Sequence, residues 1–213
     1  DSKCVEFLKR FNIRPTKIFS TGKRKENLTN KIDTWNGDYI IHLGSYYKLT
    51  KNDLNRARMA INFHPSPPKY PGSGGYSKAL LNLDKKFGVT VHFMNDKIDN
   101  GKIIGFYSFK INSNFDLKKL IFMTDHYKFF VFKKIIKTLL NKNGENRLLK
   151  LSNNNKFKWS KKRGKIKDID NLQRIRTFIS KKKLEKIIRS TSIGNHNPFI
   201  ILHGYKFVLK FNS

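Results

Sequence analysis

An asparagine and a histidine two positions apart, Asn62 and His64, and an aspartate in a later turn, Asp99 before Gly101, are the residues of this sequence best suited to chemistry. Side chains alternate faces along an extended strand, so Asn62 and His64 project to one side and can meet one substrate atom together. An amide N–H and an imidazole can jointly stabilise an oxygen that acquires negative charge. A carboxylate beside the imidazole holds it protonated, or organises a water that relays a proton, and the residues leave both roles open. Such a set needs neither a metal nor a covalent intermediate. An Asn-x-His pair alone fits a capped turn with a satisfied histidine equally well, so the surrounding elements decide.

Those elements read as α/β. Residues 3–11 have apolar positions at helical spacing, and 16–20 read as a short strand. Asp38 to Leu43 is apolar at nearly every position, as in a buried parallel strand. A short helix near 51–56, a strand over 59–63, a Pro/Gly-rich loop over 65–75, a helix starting near 76–82 and a strand over 88–94 follow. Residues 116–140 carry the clearest apolar stripe, Leu117, Leu120, Ile121, Phe129, Phe132, Ile135, Ile136, Leu139 and Leu140, predicting a helix across the sheet. Residues 141–155 are rich in Asn and Lys and read as a polar linker at a domain boundary. Helices near 168–179 and 181–191 and two strands, 199–202 and 206–211, complete the pattern. A doubly wound sheet has a strand before its first helix, so about ten residues are expected to be missing ahead of Asp1.

Two blocks carry a family resemblance. Asn62-Phe63-His64-Pro65-Ser66, followed by Lys69-Tyr70-Pro71-Gly72, is similar to the N-x-H-P-S-L-L-P-x-y-r-G motif of the 10-formyltetrahydrofolate-dependent formyltransferases. Gly88 to Met94, continuing through Asp99-Asn100-Gly101-Lys102-Ile103-Ile104, resembles that family's G-V-T-x-H-x-v-x-x-x-x-D-x-G-x-i-i. The family includes enzymes that formylate glycinamide ribonucleotide, methionyl-tRNA and nucleotide-linked amino sugars. The resemblance implies a Rossmann-like, mostly parallel sheet with helices on both faces over residues 1–148, plus a small C-terminal α+β extension over 149–213. It implies Asn62, His64 and Asp99 as the catalytic set and 10-formyltetrahydrofolate as co-substrate. It further implies a folate slot formed by Tyr46, Tyr47, Lys48 and Leu49 with Asn95, Asp96 and Ile98. Separately, Gly72, Gly74 and Gly75 beside Ser73 either let an acceptor approach the backbone closely or simply let the loop turn, and Ser66, Ser73, Gly74 and Gly75 are the candidate acceptor-binding residues. His92 is left outside the set, since a core histidine bonded to backbone fits that strand position as well.

Composition bounds the partners. The 213 residues carry 45 basic and 15 acidic side chains, a net charge of +30, which ordinarily points to nucleic acid or an anionic surface. Only ten of the basic residues are arginine, and the lysines are spread along a chain full of Asn, Ile and Phe, as an AT-rich genome would write them. The charge then acts chiefly as a field favouring anionic substrates. A single cysteine, Cys4, excludes an intramolecular disulfide and a cysteine-based zinc site and fits a reducing, cytoplasmic setting; no metal is expected. The loop Ser66-Pro67-Pro68-Lys69-Tyr70-Pro71-Gly72 is one residue shorter than the family motif and has proline where arginine is frequent. With the abbreviated tail, this favours a small amine acceptor, a nucleotide-linked amino sugar, over methionyl-tRNA. No membrane partner is expected, and a homodimer fits the reading. A basic RNA-binding protein without catalysis is the alternative of another class.

Overall fold

The computed structural model describes residues 2–16, 32–45, 47–194 and 196–210. Helix α1 (Ser2–Lys9) buries Cys4 and Phe7, the apolar face that its spacing predicts. The strand expected over 16–20 lies, from residue 17 on, outside the described residues. Strand β1 (Gly37–His42) leads through a loop into the short helix α2 (Lys51–Leu54). A capping box starts α2: the Asp53 backbone N–H donates to Thr50 Oγ1 at 3.2 Å, and the Thr50 N–H donates to Asp53 Oδ2 at 2.7 Å. Strand β2 (Ala57–His64) then lies parallel to β1, with His42 opposite Asn62.

Helix α3 (Gly75–Leu81) connects β2 to β3 (Lys86–Phe93), which runs antiparallel to β2 with Asn62 opposite His92. Strand β4 (Ile103–Lys110), for which the sequence reading provides no strand, is antiparallel to β3. The described sheet, in the order β1-β2-β3-β4, is therefore mixed, and the expected parallel character is confined to β1 and β2. Connection length explains part of this: a parallel crossover takes a dozen or more residues, and the turn between Phe93 and Ile103 is shorter than that.

Helix α4 (Leu117–Leu140) is N-capped by Asp116, which accepts from the Lys119 N–H at 2.7 Å. Its Val131, Phe132, Ile135, Ile136 and Leu139 pack with Cys4 and Phe7 of α1 and with Ile61, Phe63, Val89 and Val91, the alternate residues of β2 and β3. Asn62, His64, Thr90 and His92 consequently point to the other face of the sheet.

The segment expected as a linker is instead helix α5 (Gly144–Asn154), packed on α4 and β4. Its Leu148 is fully buried in the main core, and Glu145 Oε1 accepts from Tyr39 Oη at 2.5 Å. A Cβ on Gly144 would sit 2.2 Å from the Thr138 carbonyl oxygen, so only glycine lets α5 start this close to the end of α4. Beyond α5, the chain 156–165 crosses to the loops at the end of β2. Helices α6 (Ile166–Gln173) and α7 (Lys181–Thr191) follow, tied by Gln173 Nε2 donating to the Thr191 carbonyl at 2.9 Å. Helix α6 stops short of the expected residue 179 because the Ile175 N–H pairs with the Phe199 carbonyl at 2.7 Å. Strands β5 (Phe199–Leu202) and β6 (Tyr205–Val208) form a hairpin whose turn residues, His203 and Gly204, both have positive φ, as a two-residue type I′ connection requires. Among the described residues no helix is long and apolar enough to cross a membrane.

Candidate active site

Strand parity and register assemble the site. Because His42 and His92 both lie opposite Asn62, the three side chains form a row across β1, β2 and β3. His42 Nδ1 lies 2.8 Å from Asn62 Oδ1, and Asn62 Nδ2 lies 3.0 Å from His92 Nε2. His92 Nδ1 lies 2.8 Å from the Phe93 carbonyl and its Nε2 faces both Asn62 Nδ2 and, at 3.6 Å, Asp99 Oδ1. His42 Nδ1–H in turn donates to Asn62 Oδ1; burial pushes the His42 pKa down, so this ring is neutral with its proton on the nearer contact. The row fixes the amide with its N–H side toward Asp99, whose Oδ1 is 3.4 Å from Asn62 Nδ2.

Pro65 ends β2, having no N–H to continue the ladder, and the chain folds back over His64. The Tyr70 carbonyl comes to 3.0 Å from His64 Nε2, while Asp99 Oδ2 lies 3.2 Å from His64 Nδ1. Tyr70 is held by its far end: its hydroxyl donates to Asp84 Oδ2 at 2.9 Å and accepts from Asn82 Nδ2 at 2.8 Å, and Lys69 pairs with Asp84 at 2.8 Å. Asp99 has a left-handed backbone (φ 46°) and accepts from the Gly72 N–H at 2.7 Å. The strain of that conformation is offset by the carboxylate's partners, the usual circumstance in which such strain persists. A Cβ on Gly72 (φ 78°) would stand 2.3 Å from the Gly164 carbonyl oxygen, so a side chain there would displace the N–H from Asp99.

Electrostatics follow from this packing. Asn62, His64 and Asp99 are 8%, 6% and 9% exposed. Burial would raise the Asp99 pKa, but the His92 contact, the nearby His64 and the Gly72 N–H outweigh it and hold the carboxyl below its ordinary value. Burial lowers the His64 pKa more than Asp99 and the Tyr70 carbonyl raise it. His64 is thus a neutral ring between two acceptors. It has one proton to share, and on gaining a second it satisfies both neighbours. Such a group accepts a proton without rearrangement. The Asn62 amide, held toward Asp99 only by a long contact of 3.4 Å, can redirect that N–H to an oxygen developing negative charge.

Of the residues the sequence singled out, Asn62, His64 and Asp99 are brought together. Tyr46 lies outside the described residues. Tyr47 and Leu49 pack with Ile40 and Met94 beside the row, Leu49 being 7% exposed, and Lys48 is exposed. Asn95, Asp96 and Ile98 form an exposed turn leading to Asp99, with Asn95 Oδ1 accepting from the Lys97 N–H at 3.1 Å. Ser66 is buried, its carbonyl accepting from Thr90 Oγ1 at 2.6 Å, and the space beside Gly75 is filled by Ser66 Oγ. Ser73 and Gly74 are partly buried in the turn before α3, where the Ser73 N–H donates to the Gly164 carbonyl at 3.0 Å.

Sequence reasoning missed His42 and the role of His92, which register alone reveals. It also missed Trp159, whose ring lies edge-on to His92 (centroids 5.0 Å apart, planes at 88°) and to His64 (5.7 Å, 69°). Its Nε1–H donates to the Gly101 carbonyl at 2.7 Å. No periodicity links residue 159 to this site.

A family model described as formyl transferase matches residues 9–127. The chain is 35% identical over 79 residues to phosphoribosylglycinamide formyltransferase of Escherichia coli (strain K12), covering 36% of this chain and 37% of that protein. It is 34% identical over 111 residues to methionyl-tRNA formyltransferase of Borreliella afzelii (strain PKo), covering 49% and 35% respectively. The chain therefore spans well under half the length of these relatives. Among solved structures, the N-formyltransferase of Helicobacter canadensis in complex with folinic acid and dTDP-3-aminofucose matches with a TM-score of 0.54 and 25% identity, covering 70% of this chain and 53% of that one.

Proposed function

Because the chain belongs to the formyl transferase family, we propose that it moves a formyl group from 10-formyltetrahydrofolate to the amine of a small acceptor, a nucleotide-linked amino sugar. The observation that carries this reading is the buried convergence of Asn62, His64 and Asp99, with a neutral imidazole in contact with a carboxylate at 3.2 Å. In the reaction the acceptor nitrogen forms a bond to the formyl carbon, whose oxygen takes up negative charge. Asn62 Nδ2–H supplies a donor to that oxygen, an interaction whose loss costs about 3 kcal/mol of transition-state stabilisation. His64 takes the proton that the amine loses, Asp99 stabilises the resulting imidazolium, and the proton passes to the folate nitrogen as its bond to the formyl carbon breaks. The apolar cluster of Ile40, Tyr47, Leu49 and Met94, beside the exposed turn of Asn95, Asp96 and Ile98, suits a flat ligand with a polar edge.

Three features support a nucleotide sugar: the short loop at Pro67-Pro68, the positive field, and the bound dTDP-sugar of the Helicobacter canadensis neighbour. Methionyl-tRNA is the second reading, favoured by the Borreliella relative and by the net charge of +30. Incubating the protein and 10-formyltetrahydrofolate with nucleotide amino sugars or with methionyl-tRNA, while following deformylated folate, separates them. Turnover with an amino sugar is expected. Turnover with the charged tRNA alone overturns the acceptor, and release of folate with neither amine overturns the transferase reading. Salt titration of RNA binding addresses the non-catalytic alternative, which requires sub-micromolar affinity falling steeply with salt.

A further inference from the structure

Residues 156–165 form neither helix nor strand and nevertheless lie across the two loops that carry the catalytic groups. The Ser160 N–H donates to the Pro68 carbonyl at 3.0 Å, and the Gly164 N–H to the Pro71 carbonyl at 2.8 Å, so the segment is strapped to the loop that bears Tyr70 and Gly72. Through its indole N–H on Gly101, Trp159 also ties the segment to the turn that bears Asp99. Its ring stands at once over His64 and His92, on the face of the sheet opposite the main core. One half-buried side chain thus connects both active-site loops and forms part of the wall around the histidine pair.

We propose that Trp159 is a positioning residue of this site: its ring excludes water from His64 and His92, and its indole N–H fixes the Asp99 turn against the loop from Pro65 to Gly75. The role rests on the formyl-transfer reading for its catalytic consequence, but the physical claim does not. Water exclusion is what keeps His64 neutral, since burial is the largest influence on that ring and works against the Asp99 carboxylate. The groups facing His64 are Asp99, His92 and the Tyr70 carbonyl; those facing His92 are Asp99, Asn62 and the Phe93 carbonyl, with His42 one strand away. Removing the indole admits solvent to both rings and frees the Gly101 carbonyl from its tie.

The test uses the whole protein and three variants, Trp159→Ala, Trp159→Phe and Trp159→Leu, with NMR of the histidine ring protons across pH and steady-state formyl transfer. The His64 titration midpoint is expected to rise by about half a pH unit or more in Trp159→Ala, and to stay near the wild-type value in Trp159→Phe, which keeps an aromatic cover. Turnover is expected to fall about tenfold in Trp159→Ala with little change in KM, and to recover only in part in Trp159→Phe, which restores the aromatic cover but not the N–H on the Gly101 carbonyl. If Trp159→Ala does not fold, Trp159→Leu, which keeps apolar volume without the aromatic ring, gives an intermediate midpoint. A midpoint in the folded Ala or Leu variant equal to the wild-type value overturns the proposal. Absence of formyl transfer by the wild type retires the proposed function and leaves the NMR result to decide the role of Trp159.

Discussion

Replacing Asp99 by asparagine isolates the charge at the centre of the site. Asparagine has nearly the same shape and still offers an oxygen to the Gly72 N–H, now 2.7 Å from Asp99 Oδ2, but presents no negative charge to His64 Nδ1 at 3.2 Å. Hydrogen bonds to charged groups contribute about 1.5–3 kcal/mol each, set against the cost of burying the carboxylate, so the net loss of stability should be about 1–2 kcal/mol. The catalytic effect should be larger. Without the carboxylate the imidazolium formed on proton uptake is unpaired, and turnover should fall at least ~100-fold, equivalent to about 2.7 kcal/mol. The pH dependence has a definite sign. In the proposed reaction His64 acts as a neutral ring, so activity should fall on the acid side as the ring protonates; removing the attraction of Asp99 should lower the His64 pKa further and move that limb to lower pH. Stability follows the same groups. The His64 and His42 pKa values are lowered on folding, so the unfolded chain takes up protons first, and stability declines as pH falls from about 6.5 through the native values. The Asp99 pKa is also lowered, so its contribution is present above about pH 3.9 and is lost as pH falls through its native value. Asp99→Asn should abolish this second stage. Formyl-transfer rates within about threefold of wild type, with an unmoved acid limb, would refute the assignment of Asp99 as the partner of the catalytic imidazole.

Two further substitutions probe the support of the site. Tyr70→Phe removes the hydroxyl shared by Asp84 and Asn82 while keeping the carbonyl that faces His64; it should cost about 1–2 kcal/mol in denaturant unfolding and reduce turnover more than it raises KM, because the loop bearing that carbonyl loses its anchor. Leu148→Ala should destabilise the protein by about 2–5 kcal/mol, read by the same unfolding assay, whereas a residue in a linker would change stability by less than about 0.5 kcal/mol.

What could be read from the sequence divides along physical lines. The pairing of Asn62 with His64 is a property of strand parity, which is local, and the expected strand was there to enforce it. The stripe of α4 is likewise local, and the helix begins and ends within a residue of its apolar run. Helix α5 was misread because the segment 141–155 that contains it holds six asparagines; its buried residues, Gly144, Leu148 and Ser152, are spaced four apart, but only Leu148 among them is a large apolar side chain, and Leu149 and Leu151 are exposed. The α/β class was legible, whereas the antiparallel direction of β3 and β4 was not, because strand direction depends on which edge a strand joins and no single strand encodes that.

The same distinction explains the site. Asp99 was legible only through its motif, and its distance from His64 is set by a turn whose left-handed residue is Asp99 itself. The row of His42, Asn62 and His92 has no sequence signature, since it exists only once three strands take their register. Trp159 is more remote still, brought in by a segment whose hydrogen bonds run to Pro68, Pro71 and Gly101 rather than along any helix or sheet. The chemistry of the pair was thus written locally, while the dryness that tunes it is contributed from distant positions. Substitutions at His64 should therefore abolish proton transfer itself, whereas substitutions at Trp159 should shift the pH at which it operates.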